Sequence, residues 1–180
     1  MSKYQFHQSD IYQPGTELPK NRLNIVDAEL LHAVESHLLD WAGGYRTEDM
    51  VKGGSMFCRA AYLPAESRRI FGQLAQAKFL ADAATTSREV FAERLAFFQG
   101  EVIALHPFYE LNGRITRLYF DLLAIHHGYA PIDYSLAWQD DAEVGNNYIR
   151  ASIHCVQRAD HRLLTQLILT GLAPLQGDEA

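Results

Sequence analysis

His106-Pro107-Phe108-Tyr109-Glu110-Leu111-Asn112-Gly113-Arg114-Ile115-Thr116-Arg117 gathers a histidine, a carboxylate, turn-forming residues and two arginines into one short segment. Asn112 is a favoured helix N-cap, and Gly113 lets backbone come close to a ligand. Ile115, Leu118, Tyr119, Leu122 and Ile125 then recur at helical spacing, so a helix is predicted to open at Asn112. The first N–H groups of a helix lack internal acceptors and carry the positive end of its dipole, which makes Asn112 to Arg114 a candidate anion site. Arg114 and Arg117 share a helix face about 4.5 Å apart along the axis, a spacing that suits adjacent phosphates of one nucleotide tail. Glu110 would repel a polyphosphate directly, but a Mg²⁺ ion held between carboxylate and phosphate oxygens turns that repulsion into orientation. His106, with an ordinary pKa of about 6.5, suits removal of a proton from an incoming hydroxyl near neutral pH, making that oxygen the nucleophile toward phosphorus.

Outward from this stretch the pattern is helical on both sides. Phe91, Leu95, Phe98, Val102 and Leu105 step by three or four residues, so one helix face delivers the chain to His106. Pro64 opens an earlier helix with Ile70, Phe71, Leu74 and Ala77 inward, and a polar break over Asp82 to Ser87 separates the two. Downstream, Gly128 and Pro131 end the motif helix. Two more helices follow: one carries Tyr148, Ile149, Ser152, Ile153 and Val156 on a face, and the other carries Leu163, Leu164, Leu167 and Ile168 after Asp160 as N-cap. Leu30, Leu31, Val34, Leu38 and Trp41 mark an amphipathic helix stopped by Gly43-Gly44, and residues 1–24 read as an irregular lead-in. Between them, Thr47 to Val51 and Met56 to Ala61 flank Lys52-Gly53-Gly54-Ser55, the composition of a β-hairpin turn. The fold class expected is all-α, a helical bundle with a small β-hairpin, in one domain spanning 1–180.

Composition narrows the function. With 180 residues, 48% hydrophobic and 21% charged, the chain can bury one sizeable core. A net charge of −6 argues against broad contact with nucleic acid or an anionic membrane, so phosphate binding is expected to be local. Cys58 and Cys155 have no metal or redox spacing, and no signal or membrane segment is visible, which together suggest a cytoplasmic, free-thiol protein. His126-His127 and the His154, Cys155, His161 group lack the spacing of a zinc site. Lys52-Gly53-Gly54-Ser55 is no P-loop, because the preceding glycine is missing.

The central stretch resembles the signature of Fic-domain proteins, His-x-Phe-x-Asp/Glu-Gly/Ala-Asn-Gly/Lys-Arg-x-x-Arg, at seven of its eight defined positions. Asn21-Arg22-Leu23-Asn24-Ile25, the segment from Asp40 through Pro64, and the helix leading into His106 resemble the family as well. The resemblance implies a protein adenylyltransferase that moves AMP from ATP onto a Ser, Thr or Tyr hydroxyl of a target protein and releases pyrophosphate. It implies His106 as base, Phe108 as the loop's anchor in the core, Glu110 as magnesium ligand, and Asn112, Gly113, Arg114 and Arg117 as the nucleotide phosphate site. The flap of such proteins pairs with an extended target segment, which assigns Lys52, Gly53, Gly54, Ser55, Met56 and Phe57 to target binding. Other relatives transfer a different phosphate-linked group, as kinase-like or phosphocholine-transferring proteins, and a silenced nucleotide-binding scaffold is a third class. The family often blocks its second arginine with a glutamate from a Ser/Thr-x-x-x-Glu-Gly/Asn helix. No such motif is found in this sequence, so the resemblance suggests a separate inhibitor protein, as in toxin–antitoxin pairs. Leu111 stands where the family has Gly or Ala. An ordinary backbone is expected there, with the side chain turned toward Phe108 or Leu118 and the loop N–H groups still facing the phosphates.

Overall fold

The computed structural model describes residues 44–141 and 143–175; the predicted lead-in over 1–24 and the predicted helix ending at Trp41 lie outside the described residues. In chain order the described residues form β1 (Val51–Lys52), β2 (Ser55–Met56), α1 (Leu63–Gln76), α2 (Ala81–Thr86), α3 (Arg88–Leu105), α4 (Asn112–His126), β3 (Asp140–Asp141), β4 (Gly145–Asn146), α5 (Asn147–Arg158) and α6 (Arg162–Gly171). The all-α class with a small hairpin is borne out.

The sequence of α3 explains the architecture. The expected apolar face of Phe91, Leu95, Phe98, Val102 and Leu105 is buried, but so are Ala92, Ala96, Gln99 and Gly100. A helix apolar nearly all round belongs inside a bundle, and α1, α2, α4, α5 and α6 all pack against it. Gly100 permits a close approach to α3, because a Cβ there would stand 2.2 Å from the His161 ring. Ser87 starts the helix with an extended backbone, its side chain accepting the Val90 N–H at 3.2 Å.

The polar break predicted over Asp82 to Ser87 needs correction. Ala81, Ala83 and Ala84 favour helix and form α2, while the interruption falls earlier, at Lys78, Phe79 and Leu80, with φ of 50°, 51° and 69°. Buried Leu80 holds that irregular turn to the core. In α4 the helical spacing is borne out, yet the buried residues are Asn112, Thr116, Phe120, Leu123 and Ala124. The stripe of Ile115, Leu118, Leu122 and Ile125 faces outward. Likewise α5 buries Tyr148, Ala151 and Cys155 and exposes Ile149, so its inner face is rotated from the predicted one.

The predicted hairpin forms with a shorter ladder. Val51 pairs with Met56 and Lys52 with Ser55, and Gly53 and Gly54 both take positive φ, 55° and 78°, as a tight primed turn requires. Phe57 N–H still donates across the stem to the Met50 carbonyl at 3.1 Å, but beyond it the backbone pairs elsewhere: Cys58 N–H donates to the Ala104 carbonyl at 2.9 Å, and Ala60 N–H donates to the Asp49 carboxylate at 2.7 Å. The second hairpin, β3–β4, leads into α5 and was not legible in the sequence. No described helix is long and apolar enough to cross a membrane.

Candidate active site

Three elements meet at the motif: the carboxyl end of α3, the amino end of α4, and the hairpin stem. His106 closes α3 with a left-handed backbone, φ 46° and ψ 59°, which ends the helix and turns the chain away. Its side chain is only 8% exposed and lies flat on Phe57 from the hairpin, ring centroids 3.8 Å apart and planes 10° apart. Burial pushes its pKa down from 6.5 to about 3, helped by the positive charges of Arg46 and Lys52 and opposed by a backbone hydrogen bond with Ile103. The expectation of a ring titrating near neutral pH is therefore corrected: His106 is neutral throughout the physiological range.

The loop from Pro107 to Leu111 is braced by two side chains. Asn112 accepts the Phe108 N–H at 2.9 Å and donates to the Phe108 carbonyl at 2.6 Å, closing the loop on itself. Tyr109 is buried, with its hydroxyl accepting the Thr47 N–H at 3.0 Å and meeting the Thr47 hydroxyl at 2.9 Å. Phe108 is half-buried at an apolar cavity of about 150 Å³ shared with Tyr45, Phe71, Ile115 and Tyr119. The loop's deep anchor is thus Tyr109, where the resemblance implied Phe108.

Two expectations at the start of α4 are also overturned. Leu111, not Asn112, is the N-cap, its carbonyl accepting the Ile115 N–H at 3.0 Å. Its backbone is left-handed, φ 65° and ψ 1°, where an ordinary one was expected. The reversal from loop into helix needs a positive φ, and the Asn112 to Phe108 bonds hold Leu111 to it at a cost of about 1–2 kcal/mol.

Gly113 and Arg114 are exposed on the first turn, so the helix N-terminus is open to an anion. Arg117 lies deeper. Its guanidinium sits 4.7 Å from the Trp138 ring centroid and 5.2 Å from that of Tyr148, so two aromatic faces orient it. Glu110 is half-buried in the loop. Among the described residues no group of three or more His, Cys, Asp or Glu could cage a metal. A Mg²⁺ carried on phosphate oxygens asks the protein for as little as one carboxylate, and Glu110 fits that demand.

On the hairpin, Gly53, Gly54 and Met56 are exposed, Lys52 and Phe57 are half-buried, and Ser55 is turned inward, accepting a hydrogen bond from Gln157 at 2.9 Å. Sequence reasoning missed Arg46, Tyr109 and the Trp138–Tyr148 pair. Arg46 is 1% exposed and bonds the carbonyls of Glu48, Cys58, Leu105 and His106. No periodicity or motif spacing marks it.

The Fic/DOC family profile matches residues 22–124. The chain belongs to the Fic/DOC family. It is 37% identical over 102 residues to the probable protein adenylyltransferase Fic of Salmonella typhimurium, a match covering 57% of this chain and 47% of that protein. The chain thus spans about half the length of that relative. The probable protein adenylyltransferase y4lH of Sinorhizobium fredii is 30% identical over 159 residues, covering 72% of this chain and 82% of the relative. Among solved structures, the BepC protein of Bartonella tribocorum with bound AMPPNP superposes with a TM-score of 0.72 at 19% identity, over 92% of this chain and 97% of that one. At that identity the likeness speaks for the Fic fold.

Proposed function

We propose that this Fic domain is a protein adenylyltransferase that moves AMP from Mg-ATP to a Ser, Thr or Tyr hydroxyl of a target protein. The observation that carries the reading is the pairing of a buried, neutral His106 with an open helix N-terminus at Gly113 and Arg114, joined by a loop that Asn112 braces. The names of the relatives agree with it. In the proposed step the target hydroxyl gives its proton to the imidazole as its oxygen bonds to the α-phosphorus. The bond from that phosphorus to the bridging oxygen breaks, and pyrophosphate leaves. Neutrality keeps the ring's lone pair available at every physiological pH, while its weak basicity means that the proton moves during attack and not before it. Helix N–H groups, Arg114 and Arg117 would hold the phosphates, and Glu110 would hold the magnesium that offsets their charge. Met56 and the outer edge of the hairpin would pair with the target backbone.

His106→Ala tests the role of the base. Labelling by ATP carrying label on the α-phosphate should vanish while calorimetric Mg-ATP binding persists, because the base touches the acceptor hydroxyl. Label transferred from the γ-phosphate instead would identify a kinase-like relative. We further propose that a separate inhibitor protein restrains the enzyme in the cytoplasm; co-expression with the adjacent reading frame should then suppress labelling.

A further inference from the structure

We propose that Arg46 is a positioning residue for this reaction: its guanidinium fastens both sides of the hairpin stem to the turn that presents His106, so that flap and imidazole hold one shared geometry. The proposal rests on the reading of His106 as the base.

The carbonyls at the carboxyl end of α3 have no helical donors, because the left-handed backbone of His106 stops the helix. Arg46 supplies them. Its Nε–H donates to the His106 carbonyl at 2.8 Å, Nη2 reaches the Leu105 carbonyl at 3.4 Å, and its own backbone N–H donates to Pro107 at 2.9 Å. Three successive carbonyls of the turn thus end on one residue. The rest of the guanidinium fork points the other way: Nη1 donates to the Glu48 carbonyl at 2.6 Å, before β1, and Nη2 donates to the Cys58 carbonyl, after β2. A planar cation with five donors can span three chain segments at once, whereas a lysine ammonium radiates from a point.

The position also suits a buried charge. The negative end of the α3 dipole faces the guanidinium, and Arg46 remains cationic although burial lowers its pKa. Phe57, one residue before Cys58, is carried by the same seam onto the His106 ring. Arg46 therefore sets the ring from both sides, through the His106 backbone and through the aromatic plane stacked on it. The cation's own field adds to the burial that keeps His106 unprotonated.

The test compares the wild-type chain with Arg46→Lys. In the wild type, the Arg46 Nε–H should exchange slowly by NMR, and the His106 ring protons should be shifted upfield by the Phe57 face. In folded Arg46→Lys the upfield shift should collapse. Transfer of label from α-labelled Mg-ATP to lysate protein should slow more than about tenfold in kcat, with the KM for ATP changed by less than about twofold, since misplacing a reacting group by about 1 Å costs as much as about 100-fold. A folded Arg46→Lys that keeps the ring shift and the rate overturns the proposal. If the variant does not fold, the wild-type measurement decides: an Nε–H exchanging like that of a surface arginine, or an unshifted ring, overturns it. Absence of labelling from every form would instead refute adenylyl transfer, leaving the exchange and ring-shift results to judge the positioning role.

Discussion

His106 is held near a pKa of about 3 in the folded chain against 6.5 for a free ring, so between those values the unfolded chain binds a proton that the folded chain does not. Stability therefore rises with pH across that window and falls as the pH drops from about 6.5. Urea midpoints should decline on acidification through that range, and His106→Asn, whose side chain tolerates a left-handed backbone, should shorten the decline. Leu111 makes a second prediction. Its φ of 65° is one that glycine adopts freely, so Leu111→Gly should raise the unfolding free energy by up to about 1 kcal/mol, part of the gain being lost to the greater entropy of an unfolded glycine. A lower urea midpoint would contradict the left-handed assignment. The motif was legible at this scale because its residues are neighbours in sequence. The sign of φ at Leu111 was not, since a leucine there carries no conformational signal, and Arg46 was invisible because its four acceptors lie 2, 12, 59 and 60 residues away.

Helix positions were legible from apolar spacing, but their facing was less so. In α4 the apolar stripe points outward and the inner face includes Asn112 and Thr116, because loop bracing and close packing placed polar residues inside. Spacing reports a period and not which side of it meets the core. The same helix presents Arg117 to Trp138 and Tyr148, aromatics that arrive from beyond a loop and from α5. Trp138→Ala removes one face of that clamp while leaving Tyr148 in place. Mg-ATP binding should weaken about two- to fivefold, in line with a cation–π contribution of about 0.5–1 kcal/mol at an exposed site, and calorimetry reads it directly. Unchanged affinity would mean that Arg117 needs no aromatic support.

At the scale of the molecule, α3 is the helix against which α1, α2, α4, α5 and α6 all pack, and Gly100 is where it comes close to the His161 ring. Gly100→Ala should destabilise the domain by about 1–3 kcal/mol, since the new methyl meets the His161 ring and the Cys155 sulfur; thermal melting measures it. The hairpin offers a complementary test. Arg59 has φ −64°, which proline matches, so Arg59→Pro should melt like wild type yet label targets more slowly if extended target chain pairs alongside it. Full labelling would remove strand pairing at that position from the account. The buried arginine seam also sets a boundary for retargeting. Residues 46–50 and 57–58 belong mechanically to the body that holds His106, as does Ser55 through its bond from Gln157, while the exposed Gly53, Gly54 and Met56 form the outer tip. A chimaera that trades only that tip with another Fic domain keeps the support of His106 intact, whereas one cut at the outer ends of the stem imports a foreign hinge beneath the imidazole.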